Sequence, residues 1–330
     1  MRASRSKPWL RPFLKHLQMA EYWLVAQAVK ASIALLRLLP MDAALAFAGG
    51  TARRLGPLFG RHRVALHNLR LAFPEKSEAE IRMIALDMWG HMGRLAAEYI
   101  YLDRLFDFDP QNPTAGRIEG LGIDIFLRIA AEKGKPHIAF SGHLGNFELM
   151  PIVCQAFGLE GTVLFRPPNN PYIADYIYKT RNTKMGGLMS SRGAAIGLAR
   201  ILEDGGNVGM LVDQKFSQGI RTTFFGRPCE TSPLLPKLAR QFDCDVYPVR
   251  SQRLPGNRFR LELEEKLTLP RDEEGKVDIA ATAQLLNDVV ERWVRDDPAQ
   301  WMWFHKRWTI SVPWKRRARA SAGPAAPDGQ

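Results

Sequence analysis

The chain has 330 residues, 46% of them hydrophobic and 24% charged, which is the balance of a folded globular protein with a sizeable core. Its 46 Lys and Arg against 34 Asp and Glu give a formal net charge of +12, and residues 1–70 alone hold 12 basic and 2 acidic side chains. That asymmetry excludes a uniformly basic nucleic-acid binder. It describes a near-neutral body with a basic, apolar N-terminal segment suited to an anionic lipid surface. The three cysteines, Cys154, Cys229 and Cys244, form no C-x-x-C pair, so neither a disulfide framework nor a cysteine zinc site is expected, and the body reads as folding in a reducing compartment.

Residues 1–18 carry Arg2, Arg5, Lys7, Arg11 and Lys15 and no acid, like the start of a signal peptide, but no A-x-A site closes a compact apolar core. From Tyr22 to Gly50 the chain is apolar yet interrupted by Lys30, Arg37 and Asp42, so no uncharged run reaches the ~18 residues of a clear transmembrane helix. On a helix, Trp23, Lys30 and Arg37 share one face, and Leu24, Ala28, Ala31, Leu35 and Leu38 form an apolar stripe beside them. This is the layout of a helix lying in the interface with its basic stems reaching headgroups, and monotopic anchoring is preferred to a single span. Basic residues on both sides favour a cytoplasmic placement of both ends.

Residues 61–116 read as a helical part. Ser77-x-x-Glu80 is a capping box, and Ile81, Ile84, Met88, Met92, Leu95 and Tyr99 keep the 3.6-residue period. Pro110, Pro113 and Gly116 mark the boundary with an α/β body spanning 117–314. There, helices are expected at about 121–132, 146–157, 171–184, 194–204, 233–242 and 278–296. Strands are expected at His137–Phe140, Thr162–Phe165, Val208–Val212, Val246–Val249 and Arg258–Leu267. This alternation predicts an α/β layer fold with a mainly parallel sheet. The tail 315–330 is basic, then rich in Ala, Pro and Gly, and reads as disordered.

In such folds chemistry gathers where strands end. The strand at 137–140 runs into Ser141-Gly142-His143-Leu144-Gly145-Asn146-Phe147-Glu148, with a helix expected to begin near Asn146. Glu148, in the first helical turns, could fold back on His143 and fix its tautomer so that Nε2 takes a proton, but H-x4-E is a loose pattern, and by spacing alone the plainer reading is that His143 caps the turn and Glu148 complements the helix dipole. Asp213-Gln214, at the end of another strand, suits either the site or a plain turn cap. Gly205-Gly206 precedes no Walker lysine and is expected to be a helix-to-strand turn. Trp301, Trp303 and Trp308, among Phe304, His305, Lys306 and Arg307, suit either a headgroup boundary or a packed core. His62, His67 and His91 match no metal spacing, and no metal is expected.

The block Gly142-His143-Leu144-Gly145-Asn146-Phe147-Glu148 resembles the H-x4-D/E element of the lysophospholipid-acyltransferase-like superfamily, and within it the late acyltransferases of bacterial lipid A biosynthesis. Tyr22-Trp23 with Leu38-Leu39-Pro40, Asn68 to Pro74, Val208 to Gln214, Phe224 to Pro228 and Pro298 to Trp308 are similar to further elements of that lauroyl/myristoyl transferase family, in the same order. The resemblance implies a glycerol-3-phosphate-acyltransferase-like fold and, with no cofactor, acyl transfer from an acyl carrier protein thioester to a hydroxyl on a lipid A precursor. The enzyme would sit at the inner membrane with its site facing the cytoplasm. His143 would be the general base and Glu148 its orienting partner; Arg166, Asn169, Arg181, Asp213 and Gln214 would contact substrate, and Cys154 would be a core residue. Lys179–Lys184 and Lys306–Arg307 are candidate docking points for the acidic carrier. A lysophospholipid or other glycolipid acceptor, or a non-catalytic membrane scaffold, are the competing readings.

Overall fold

The computed structural model describes residues 10–109, 112, 114–156, 158–159, 161–165, 167–182, 187–190 and 193–308, with side-chain statements not extending to 10–13, 103, 156 and 179–182. The tail 315–330 lies outside these residues, as does Arg166, and the Arg181 side chain lies outside the described ones.

The N-terminal part is helical: α1 (Leu10–Leu36), α2 (Met41–Leu55), α3 (Gly60–Ala72), α4 (Glu78–Glu98) and the short α5 (Leu102–Leu105). Pro40, which cannot continue a helix, separates α1 from α2. The expected stripe on α1 is exposed, with Leu24 at 62% and Leu35 at 66%. Of the eighteen large hydrophobic side chains exposed among the described residues, thirteen lie between Leu14 and Phe59, so this apolar surface is one region rather than scattered residues. Among the described residues no helix is long and apolar enough to cross a membrane. At the start of α4 the Ser77 and Glu80 side chains close the capping box reciprocally.

The body is built from β1 (Ile118–Leu121), α6 (Ile123–Ala131), β2 (His137–Ser141), α7 (Leu149–Ala156), β3 (Gly161–Phe165), α8 (Pro171–Asn182), β4 (Gly187–Ser190), α9 (Ala194–Glu203), β5 (Asn207–Leu211), β6 (Ile220–Phe224), β7 (Arg227–Thr231), α10 (Leu234–Phe242), β8 (Asp245–Leu254), β9 (Arg258–Leu263) and α11 (Ile279–Asp296). The main sheet runs β1-β9-β8-β2-β5-β3-β4 and is parallel except for the β8–β9 pair. Side chains alternate across it. One face, with Ile138, Phe140, Val208, Met210 and Val246, packs under α9, α10 and α11 in the main core. The other, with Tyr247 and Val249, meets α6 and α7. Gly205, at φ +75°, turns α9 into β5, as expected of that pair of glycines.

The sequence reading missed β1, β4 and the β6–β7 hairpin. The hairpin turns on Phe225 and Gly226, both at positive φ (53° and 65°), and a phenylalanine in that conformation carries no turn signature. Its ring is held among Phe73, Trp303 and Phe224, and its N–H donates to Glu291, so tertiary contacts hold a backbone state that Phe disfavours locally.

Two buried polar groups tie the helical part to the sheet. Arg253 of β8 forms a bidentate pair with the fully buried Glu98 of α4. Nearby on α4, burial, then the charges of Arg253 and Arg94, push the His91 imidazole down to about 3, and its buried Nδ1 has no hydrogen-bond partner. Unfolded, His91 takes a proton near pH ~6.5. Between that pH and about 3 the unfolded chain therefore binds more protons, so this residue lowers stability as pH falls. Denaturant titrations at pH 7 and pH 4.5 are expected to show His91→Leu flattening this loss, which His91 makes steeper by at most about 1.4 kcal/mol per pH unit; an unchanged slope would assign the acid sensitivity elsewhere.

Candidate active site

β2 and β5 are parallel neighbours in register, the last pair being Ser141 with Leu211. Two residues beyond each member of that pair lie His143 and Asp213, which the register brings side by side at the C-terminal edge of the sheet. Asp213 is buried and accepts three hydrogen bonds. The backbone N–H of His143 donates to Oδ2 at 2.8 Å, the His143 Nδ1–H to Oδ1 at 2.7 Å, and the Trp301 Nε1–H to Oδ2 at 2.7 Å. Burial by itself would raise the Asp213 pKa; the charge of His143 and the bonds from His143 and Trp301 reverse this and hold the carboxyl well below the usual carboxylate range. The imidazole is thereby fixed with Nδ1 protonated, and its Nε2 lone pair accepts from Gln214 Nε2 at 3.0 Å. Phe147 packs edge-on against the ring, with centroids 5.1 Å apart.

The orienting carboxylate at Nδ1 is thus Asp213 and not Glu148, the first correction to the sequence reading. The second is that α7 starts at Leu149, so Phe147 and Glu148 belong to the turn before it. Glu148 is buried, its N–H donates to Asn146 Oδ1 at 3.1 Å, and it lines the same cleft as His143. Asp213 and Gln214, expected to contact substrate, sit at the imidazole. Asn169 is exposed in the turn before α8. Its neighbour Asn170 is buried, accepts from the first N–H groups of α8 through Oδ1, and donates to the Tyr22 carbonyl of α1 at 2.8 Å. Burial pushes the Cys154 thiol up to about 12, in keeping with a core residue.

The turn that carries His143 is held from below. Asn146, fully buried, donates from Nδ2 to Glu98 at 3.0 Å and from its backbone N–H to Ser251 Oγ at 3.3 Å. Gly145, at φ +55°, lies so close to β8 that a Cβ there would meet the Ser251 carbonyl at 2.2 Å, so only glycine fits. Its N–H donates to the Gln300 carbonyl, and the Gln300 side chain pairs with both backbone groups of Arg253. Asn146, Gln300 and Trp301 hold this turn and Asp213 in place, which periodicity does not reveal; the one sequence signal for them is that they stand inside the family-like blocks at 142–148 and 298–308.

The aromatic C-terminal segment is core, not headgroup boundary: Trp301, Trp303 and Trp308 are all buried. Arg307 is 1% exposed and donates to the carbonyls of Gln214 and Glu230, to Thr231 Oγ1 and to Asn287 Oδ1, so it is no docking point for a carrier protein. Asn68 donates to the Trp303 and His305 carbonyls, and Arg227 to the Leu71 carbonyl. His305, to which the sequence reading gave no role, lies with its ring centroid 6.1 Å from that of His143.

His143, Glu148, Gln214 and His305 stand at one end of a cleft of ≈ 1370 Å³ that continues over the sheet between β2, β5 and β3. A cavity of that size, apolar along most of its walls and with an oriented imidazole at one end, has the shape and polarity to take a long apolar molecule with a polar head. A family model described as bacterial lipid A biosynthesis acyltransferase matches residues 10–309. The lipid A biosynthesis lauroyltransferase of Escherichia coli (strain K12) is 26% identical over 256 residues, 75% of this chain and 78% of that protein. The lipid A biosynthesis myristoyltransferase of the same strain is 26% identical over 303 residues, 90% of each chain.

If Asp213 fixes the tautomer, Asp213→Asn is expected to leave the far-ultraviolet dichroism unchanged but to shift the His143 ring nitrogen resonances toward a mixture of tautomers. Turnover should fall by ~10² or more. Glu148→Gln should leave the resonances in place; the reverse pattern would return the orienting role to Glu148.

Proposed function

The chain belongs to the bacterial lipid A biosynthesis acyltransferase family, and from that premise we propose that it moves a fatty acyl chain from an acyl carrier protein thioester to a hydroxyl of a hydroxyacyl chain on a lipid A precursor. The observation that carries this reading is the pairing of His143 with the buried Asp213 at the end of a long apolar cleft. An alcohol is a weak nucleophile at neutral pH, and a positioned base contributes ~10²–10⁴ in rate. The acceptor hydroxyl displaces Gln214 from Nε2 and gives its proton to His143 as its oxygen attacks the thioester carbon. The tetrahedral intermediate then expels the carrier's thiolate, which takes the proton back from the imidazolium. The Asp213 carboxylate stabilises that imidazolium without accepting its proton. No acyl-enzyme is needed, in keeping with the raised Cys154 pKa.

Glu148, buried and lining the cleft beside His143, is assigned to the substrate side of the site. Arg166, Asn169 and Arg181 keep their assignment to the acceptor's polar groups, a guanidinium being suited to phosphate. The exposed apolar surface of α1 and α2, with Lys15, Lys30, Arg37 and Arg54 around it, supports monotopic docking on the anionic inner membrane, the site facing the cytoplasm. Such docking would bring a lipid acceptor to the site without a full span, because α1 meets the α8 start through Tyr22 and Asn170.

Purified protein in detergent, offered carrier thioesters of graded length and an under-acylated lipid A precursor, is expected to acylate it, with His143→Ala at least ~100-fold slower. A near-wild-type rate in that variant would remove the base assignment. Acylation of a lysophospholipid in place of the lipid A precursor would keep the chemistry and overturn the acceptor.

A further inference from the structure

The floor of the cleft is a regular surface. Three cross-strand rows follow from the register: His137, Asn207 and Gly161 at the N-terminal ends of β2, β5 and β3; Ala139, Gly209 and Val163 two residues on; and Ser141 with Leu211 at the ends nearest His143. Period-two alternation puts these rows on one face of the sheet, and the cleft runs over them from His143 to His137.

Two members of this floor are glycines that the backbone does not require. Neither Gly209 nor Gly161 has positive φ; a Cβ at Gly209 would meet nothing nearer than Val163 Cγ2 at 3.5 Å, and one at Gly161 nothing nearer than the Asn207 carbonyl at 3.8 Å. A glycine inside a strand weakens it through lost chain entropy, and it commonly marks a place where a ligand lies against the backbone. Beyond Gly161 the surface changes character. The buried His137 ring is joined through Nδ1 to Asn207 Oδ1 at 3.0 Å and through Nε2 to Glu132 Oε2 at 3.2 Å. Lys135 lies 2.8 Å from carboxylate oxygens of both Glu132 and Asp245. Those two carboxylates and His137 could together face a metal ion, but the Lys135 ammonium already supplies the neutralising charge. A hydrocarbon end pressed against this cluster would strip water from charged groups, so the apolar path stops there.

We propose that the strip of sheet between His143 and His137 is an acyl-chain groove that selects chain length, with Gly209 holding it open at half depth and Gly161 at its end. The four residue steps from Ser141 to His137 span ~13 Å, about the extended length of a chain of ten methylenes. A side chain at position 209 blocks the inner half, ~7 Å or about five methylenes, whereas one at position 161 trims only the tip. This rests on the acyl-transfer reading, and a binding measurement keeps the two separable.

The experiment uses the full-length protein and the variants Gly209→Ala, Gly209→Val, Gly209→Leu and Gly161→Leu. Transfer is assayed with carrier thioesters of graded length, and binding of free fatty acids from octanoate to palmitate is followed by displacement of an apolar fluorescent dye. Gly209→Leu is expected to move the optimum about five carbons shorter in both assays, with the longest chains at least ~10-fold weaker and short chains near wild type. Gly161→Leu should lose only the longest chains, and Gly209→Ala and Gly209→Val should fall between wild type and Leu. If Gly209→Leu does not fold, that graded pair, the Val form fitting a strand, still reads the groove. An unchanged length profile, or the same shift from both positions, would overturn the groove even with transfer intact. If wild type transfers no chain while the variants still shift the length profile in binding, the reaction would be overturned and the groove upheld.

Discussion

A carboxylate buried without partners is among the most costly things a fold can contain, and Asp213 is stable where it lies only because three N–H groups converge on it. Two come from the β2 turn and the third from Trp301, near the C-terminal end of the described chain. Removing any one leaves charge uncompensated, so the positions of these three segments are fixed together. The same bonds that satisfy Asp213 hold the imidazole by one nitrogen and leave the other pointing into the cleft. What stabilises the carboxylate and what orients the imidazole are the same bonds.

The rest of the molecule can be understood as support for that convergence. Trp301 reaches Asp213 because its ring stands edge-on to Trp303, centroids 4.6 Å apart, and is flanked by Phe224. Trp303 in turn packs against Phe73 and Phe225. The Asn68 amide and the Arg307 guanidinium pin the backbone of the same cluster through carbonyls of distant segments. Blocks far apart in the chain thus form one buried body beneath the site, which gives a packing reason for their occurring together. On the opposite side, Glu98 and Arg253 carry the turn through Asn146 and Gln300, so α4 and the turn that holds His143 share one hydrogen-bonded network.

The surface divides as sharply as the interior. The body hides its apolar side chains, while the region from Leu14 to Phe59 exposes most of the large ones left uncovered. An exposed apolar region bordered by basic groups favours a partner that is apolar and anionic together, which describes a lipid leaflet. That region is joined to the body where α1 is bonded to the turn that starts α8.

The sequence by itself determined the capping box of α4, the helices flanking the sheet, most of its strands, the apolar stripe of α1 and the place of His143 at a strand's end. Each of these is a local property: a period, a cap or a residue at a strand end. It could not determine which carboxylate serves His143. Glu148 is five residues away along the chain and Asp213 is seventy. Only the pairing of β2 with β5 and their register, set by the packing of the whole sheet, put the distant one at Nδ1. The same holds for the tryptophans, whose amphipathic rings suited headgroups and core equally until Asp213 needed a buried donor, and for Phe225, whose turn exists only because the cluster around it holds it. A hydrogen bond is chosen by what tertiary packing brings within about 3 Å, and strand neighbours are not written in any local pattern.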